Sequence, residues 1–143
     1  MKLSELRSIK EELNDNLIDF RDFMDFITSD TDDFEVDNYR FIRASEIDEI
    51  QVEELKCNEY VLGCFNASFL ADNTDLSFEI IEALQQGDKL EAIGKHIIDN
   101  YFINDIQQEY SRLDGYGHHF AHCDHEEHEI TVNGVDYYYF KIN

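Results

Sequence analysis

Basic residues are scarce in this chain, and proline and tryptophan are absent. The 143 residues contain 11 Lys and Arg against 33 Asp and Glu, so the formal net charge is −22. A small soluble domain usually carries a net charge of about 2 to 8 in magnitude. Nucleic acid and anionic membrane surfaces repel so acidic a protein, so we expect neither as a direct partner. The charge favours a basic protein surface instead.

Long apolar runs and a disulfide framework are also missing. No stretch approaches the roughly 18 apolar residues of a membrane span, and no signal-peptide pattern follows Met1. The three cysteines, Cys57, Cys64 and Cys123, are odd in number and sparse, which indicates a reducing compartment. We therefore expect a cytoplasmic location. The aromatic content of 13% argues for a folded chain, because disordered acidic chains are poor in aromatics.

Apolar residues recur three and four positions apart through most of the first 113 residues, which predicts helices. The first is expected from about Ser4 to about Ile27, and low helix propensity at Asn14 to Asn16 leaves a break there as the alternative. The nearly apolar stretch from Tyr60 to Ala71 is expected to form a central buried helix, with Cys64 buried in it. Further helices are expected at about residues 46–56, 76–86, 89–100 and 104–112.

Two segments favour strands. Tyr39 to Arg43 is aromatic and β-branched, and Asn133-Gly134 lies between two β-rich flanks. Asn-Gly in that position predicts a type I′ hairpin, because both turn residues need positive φ. The prediction is therefore an α+β fold, a mostly helical single domain of residues 1–143 with a small antiparallel sheet. Residues 1–113 would be mainly helical, and residues 114–143 would form a turn and a C-terminal β-hairpin.

The most acidic stretch runs from Asp15 to Asp37, where Arg21 is the only base until Arg40. On one helix, Asp15, Asp19, Asp22 and Asp25 would form a single row, in which like charges repel. Such a row favours a partner that neutralises it, although a solvated acidic surface is the simpler alternative. An acidic loop, expected from Ser29 to Asp37, and the outer face of the next helix complete the candidate surface. Its residues are Asp15, Asp19, Asp22, Asp25, Asp30, Asp32, Asp33, Glu35, Asp37, Glu46, Glu49 and Glu53.

Five of the six histidines lie in the eleven residues from His118 to His128, with a cysteine among them. Imidazole and thiolate are ligands for zinc, nickel or copper, so a metal-binding domain is an alternative function. The spacing differs from the His-Glu-x-x-His pattern of metalloproteases. A polar hairpin edge that tolerates histidine is the more economical interpretation, and no cofactor is predicted. The candidate ligands are His118, His122, Cys123, His125 and His128.

Signatures of catalysis are absent from the sequence. Gly115-Tyr116-Gly117 is too short for a dinucleotide-binding loop and lacks a preceding strand pattern. Close carboxylate pairs are certain by chance among 33 acids, so none can be singled out as an acid–base pair. We therefore expect a protein that is not an enzyme.

Two segments carry a resemblance to known proteins. They are Tyr60-Val61-Leu62-Gly63-Cys64-Phe65 to Asp72, and the ending from Asp114-Gly115-Tyr116-Gly117-His118-His119-Phe120 to Tyr139-Phe140-Lys141-Ile142-Asn143. With the size and charge, they resemble the small acidic proteins of phages and plasmids, including anti-CRISPR and antirestriction DNA mimics. The resemblance implies an inhibitor that occupies the basic nucleic-acid channel of a bacterial defence complex. DNA mimics share charge rather than sequence, so the resemblance assigns no residue roles.

The leading hypothesis is thus a non-enzymatic inhibitor whose carboxylates pair with the lysines and arginines that otherwise hold phosphates. Its partner would be a basic nucleic-acid-binding protein or complex of the host. The metal-binding domain is one alternative. An acidic adaptor for a basic protein is the other, and only the identity of the partner separates it from the inhibitor.

Overall fold

The computed structural model describes residues 1–143 and confirms the α+β prediction, with nine helices and one four-stranded antiparallel sheet. None of the helices combines the length and the apolar character needed to span a membrane. The chain divides into two compact units. We call residues 1–47 and 113–143 the sheet unit, and residues 48–112 the helical unit.

The sheet unit contains three helices and all four strands. The helices are α1 (Leu3–Asp15), α2 (Phe20–Thr28) and α9 (Gly117–Phe120). The strands are β1 (Asp33–Val36), β2 (Tyr39–Arg43), β3 (His128–Val132) and β4 (Val135–Lys141). The sheet order is β1-β2-β4-β3, and every pairing is antiparallel. The predicted hairpin is confirmed, and Asn133 and Gly134 both have positive φ at its turn.

The first predicted helix is divided into α1 and α2 by a sharp turn, and α1 ends within the Asn14 to Asn16 segment where a break was the alternative. Leu17 adopts a left-handed conformation with φ 59°, and the turn is closed by two backbone hydrogen bonds. The Ile18 amide donates to the Leu13 carbonyl at 2.8 Å, and the Leu17 amide donates to the Asn14 carbonyl at 3.0 Å. This is the Schellman ending of a helix, and it brings the buried Leu13 and Ile18 into the same core. The low helix propensity of Asn14 to Asn16 permits the ending there.

A ladder of aromatic rings crosses the sheet. Phe34 faces Phe41, Phe41 faces Tyr139, and Tyr139 faces His128 in the strand registers. The successive ring centroids are 5.2, 5.0 and 4.9 Å apart, and each pair of ring planes lies within about 21° of parallel. Phe26 of α2 extends the row by stacking on Phe34 at 4.7 Å. Stacked aromatic pairs contribute about 0.5–1.5 kcal/mol each beyond their burial, so the ladder ties all four strands and α2 together.

The helical unit is built from short helices. They are α3 (Ile47–Lys56), α4 (Glu59–Gly63), α5 (Ala67–Asn73), α6 (Phe78–Gln86), α7 (Leu90–Asn100) and α8 (Ile103–Asp114). The first residue of α3 and the last two residues of α8 are counted with the sheet unit. The predicted central helix from Tyr60 to Ala71 is wrong, because α4 ends at Gly63 and Asn66 caps α5. Cys64 lies between the two helices and is exposed, so its predicted burial is also wrong.

Two glycines set the distance between α4 and α7. A Cβ atom on Gly63 would lie 1.9 Å from the Leu90 carbonyl oxygen, and one on Gly94 would lie 1.8 Å from the Glu59 carbonyl oxygen. Both obstacles are backbone atoms, so no side-chain movement relieves them. The two backbones therefore approach each other as closely as only glycine permits.

We predict that Gly94→Ala destabilises the helical unit by at least about 1–3 kcal/mol, the typical cost of overpacking. Gly87→Ala is the matched control, because its Cβ would lie no closer than 3.2 Å from the Ala83 carbonyl oxygen. Denaturant unfolding followed by circular dichroism measures both variants. Equal stability of the two variants would contradict the close approach of α4 and α7.

The loop between α5 and α6 is fastened to the end of α7 through Asp75. The Tyr101 hydroxyl donates a hydrogen bond to the Asp75 carboxylate and accepts one from the Asp75 backbone amide. His96 Nε2 lies 3.3 Å from the same carboxylate. The bond from Tyr101, followed by that from His96, lowers the pKa of Asp75. The same Asp75 contact raises the pKa of Tyr101.

We predict that this contact makes stability depend on pH at both ends of the scale. A lowered pKa in the folded state means that the stabilisation is present above the unfolded carboxyl pKa and is lost as the pH falls through the folded value. The raised pKa of Tyr101 means that stabilisation is lost again as the pH rises through the folded phenol value. Tyr101→Phe should flatten the alkaline limb, and Asp75→Asn should flatten both limbs. Unfolding curves at a series of pH values test this, and unchanged limbs in Asp75→Asn would refute it.

Candidate functional site

The predicted row of four aspartates does not exist as one helix face. Asp15 is the last residue of α1, and Asp19 lies before the first turn of α2 as its N-cap. The Asp19 carboxylate accepts a hydrogen bond of 2.9 Å from the Asp22 amide. Only Asp22 and Asp25 lie on α2 itself, one turn apart. The turn at Leu17 is the reason, because it separates Asp15 from the other three.

Three acids of the predicted loop are used by the fold. Asp33 is the first residue of β1, so the prediction of a loop throughout residues 29–37 is wrong. Its carboxylate accepts two hydrogen bonds from Arg40, at 2.9 and 2.7 Å. Asp30 accepts a hydrogen bond of 2.5 Å from Arg43, and Asp32 lies 3.1 Å from Arg43 Nε in an ion-pair contact without hydrogen-bond geometry. The bond to Asp30, and then the bond to the Tyr137 hydroxyl, raise the pKa of Arg43.

Four other acids of this region line one open depression, which we call the acidic depression. Its volume is about 400 Å³, and it lies between α2 and the end of β1. Four carboxylates and two apolar side chains line it. They are Asp22, Asp25, Glu35, Asp37, Phe26 and Val36.

The four carboxylates of the acidic depression make no ion pair, whereas Arg40 and Arg43 of the adjoining strand β2 pair with Asp33, Asp30 and Asp32. One oxygen of Asp37 accepts a hydrogen bond of 2.8 Å from the Asp19 amide, which fixes that carboxylate. Asp37 itself has a positive φ of 53° in the turn between β1 and β2. The lining of the depression therefore combines four carboxylates, one of them held in place, with two apolar side chains.

The third group of predicted acids lies elsewhere in the chain. Glu46 is half-buried just before α3, and Glu49 and Glu53 are exposed on that helix. Glu53 lies 3.6 Å from Lys56, its partner one turn on. None of the three lines the acidic depression.

The predicted histidine and cysteine ligands do not form one set. From His118 the chain continues in the short helix α9 instead of the strand pattern expected there, and β3 begins only at His128. His118 and His125 stack on each other with centroids 5.0 Å apart. His122 Nδ1 lies 3.2 Å from the Ile142 carbonyl oxygen, and Cys123 is a free exposed thiol.

His128 lies instead with two carboxylates that the sequence did not single out. The ligand atoms of Asp124, Glu126 and His128 all lie within 4.8 Å of one another. The spacing of these three residues in the sequence could have indicated the group, because residues two positions apart lie on the same side of an extended segment. The sequence also did not indicate that Phe26 and Val36 line the acidic depression. The alternation of apolar Phe34 and Val36 with acidic residues was the overlooked pattern that predicts strand β1.

Comparison with known proteins gives no relative: no protein-family model, no curated protein and no solved structure matches the chain. The candidate sites are therefore defined by the geometry of this chain alone.

We predict that the acids divide into structural and free ones. Asp19→Ala should lower the free energy of unfolding by about 0.5–2 kcal/mol, because it removes the cap of α2. Asp25→Asn should leave stability unchanged or raise it slightly, because it relieves repulsion between unpaired carboxylates. Thermal and denaturant unfolding compare the two variants. A loss of stability in Asp25→Asn as large as that in Asp19→Ala would contradict this division.

Proposed function

We propose that this protein is a non-enzymatic inhibitor of a bacterial nucleic-acid-binding defence complex of the CRISPR or restriction type. It acts by presenting an acidic surface in place of nucleic acid. The observation that carries the proposal is the acidic depression, which is lined by four carboxylates that make no ion pair, on a chain of net charge −22. Folding alone gives no reason to keep them together, because like charges destabilise the compact state.

The depression suits the groups that bind phosphates. Proteins hold nucleic-acid backbones mainly with arginine and lysine side chains. An arginine guanidinium is planar, carries five donors, and stacks on aromatic rings. Carboxylates from α2, β1 and the following turn supply acceptors, and Phe26 and Val36 supply the apolar part of the lining. We infer that an arginine of the partner enters here, with neighbouring lysines and arginines meeting the other exposed acids of the sheet unit.

The opposite charges of the two surfaces also determine how fast the complex forms and how it responds to salt. Electrostatic attraction between oppositely charged surfaces raises the association rate and makes it fall with ionic strength. A nucleic-acid mimic must in addition compete with the nucleic acid for the same basic site. An acidic adaptor that binds a basic partner away from its nucleic-acid site would not be displaced by duplex DNA, so competition together with the identity of the partner separates these two functions.

The partner is identified by capturing bacterial proteins on the immobilised chain at low and high salt, with and without duplex DNA. We predict recovery of a CRISPR or restriction complex that is lost as salt rises and is displaced by duplex DNA. Capture of a partner that DNA does not displace would favour the adaptor and contradict mimicry.

The site is tested with the purified partner and a triple variant that keeps side-chain shape, Asp22→Asn with Asp25→Asn and Glu35→Gln. We predict that it weakens binding at least about tenfold, the effect of roughly 1.4 kcal/mol, and reduces the salt dependence. The matched control is Glu79→Gln with Glu82→Gln and Glu91→Gln, which removes the same charge from exposed positions of the helical unit. If both triples weaken binding equally, net charge and not the acidic depression is responsible.

A further inference from the structure

We infer that Asp124, Glu126 and His128 form a binding site for a divalent transition-metal cation at the start of β3. The inference is independent of the proposed function, because none of these residues lines the acidic depression. It shares only His128 with the ligands expected from the histidine cluster, and the other two ligands are carboxylates.

The ligand atoms are close to the spacing that a metal requires. Zinc binds imidazole nitrogen and carboxylate oxygen at about 2.0–2.2 Å, so ligand atoms stand roughly 3 to 3.6 Å apart in tetrahedral or octahedral geometry. His128 Nε2 and Glu126 Oε2 are 3.8 Å apart, and all three ligand atoms lie within 4.8 Å of one another. Asp124 and Glu126 are exposed, so small side-chain rotations close the remaining gap. Water would complete the coordination.

The imidazole is held in place before any cation arrives. The His128 ring stacks on Tyr139 with centroids 4.9 Å apart, and the Tyr39 ring packs against it at a steep angle at 6.3 Å. His128 also belongs to β3, where it is paired with Tyr139 in the strand register. A ligand with a fixed ring loses little freedom on binding, which favours affinity.

The loop before β3 is anchored through the residues between the ligands. The Glu127 carboxylate accepts a hydrogen bond of 2.8 Å from the Tyr116 amide. The His125 carbonyl packs so tightly on α9 that a Cβ atom on Gly117 would lie 2.2 Å from its oxygen. Residues 125 and 127 thus fasten the loop, and residues 124, 126 and 128 contribute the ligand group. A hydrogen bond of 3.0 Å from the Glu126 amide orients one oxygen of Asp124 and leaves the other available.

The ligand types indicate which cations bind. Magnesium and calcium prefer oxygen ligands alone, whereas imidazole suits zinc, copper, iron and nickel. The many other carboxylates of the chain attract magnesium without selectivity. A transition metal that binds while magnesium is in excess therefore reports the imidazole-containing group.

The test is calorimetric titration of the untagged full-length protein with Zn²⁺ alone as the probe, in excess Mg²⁺. We predict one saturable Zn²⁺ per chain and a higher melting temperature when it is bound, because a cation that binds only the folded state stabilises it. The double variant Asp124→Asn with Glu126→Gln should lower the affinity at least about tenfold. Its side chains keep their shape, and circular dichroism checks that it is folded.

The matched control is His118→Gln with His122→Gln, which removes two histidines of the same segment but none of the three ligands. It should keep the Zn²⁺ affinity of the natural protein. Loss of binding in this control, with unchanged affinity in the Asp124 and Glu126 variant, would move the site to the histidine cluster and overturn the inference. Absence of saturable Zn²⁺ binding in excess Mg²⁺ would overturn it as well.

Discussion

The aromatic ladder across the four strands is the interaction on which the rest of the sheet unit depends. Neighbouring strands lie about 4.8 Å apart, close to the spacing at which rings stack, so residues in register on adjacent strands stack without distortion. Phe34, Phe41 and Tyr139 occupy such positions on β1, β2 and β4. A slip of one residue in any strand would turn its ring to the opposite face, so the ladder also fixes the register.

The ends of the ladder explain where the two candidate sites lie. Phe26 closes one end by stacking on Phe34, and the same residue lines the acidic depression. His128 closes the other end on Tyr139 and supplies the imidazole of the proposed metal site. Burial of large aromatic side chains stabilises the unit strongly enough to offset the repulsion among its surface acids. The apolar layer thus stabilises the elements that carry the unpaired carboxylates.

The sequence predicted what depends on local rules and missed what depends on tertiary contacts. The Asn133-Gly134 turn and the β2 strand were found because turn chemistry and β-propensity act over a few residues. Low helix propensity at Asn14 to Asn16 indicated where the first helix could break, but the turn itself was not predicted, because leucine rarely takes the left-handed conformation of Leu17. Burial of Leu13 and Ile18 in one core stabilises that turn. The acids were recognised individually, but Asp22 and Glu35 meet only because α2 packs on β1, a strand that was predicted as loop.

The central claim is that the acidic depression, and not the diffuse charge of the chain, is where a basic partner binds. Titration of the isotope-labelled protein with a short arginine-rich peptide, followed by amide chemical shifts at moderate salt, tests it most directly. The account predicts saturable shifts concentrated in residues 22–37, with the acidic helices α6 and α7 little affected. Shifts spread over the exposed acids of both units, without saturation, would show that charge alone attracts the peptide and would contradict the claim.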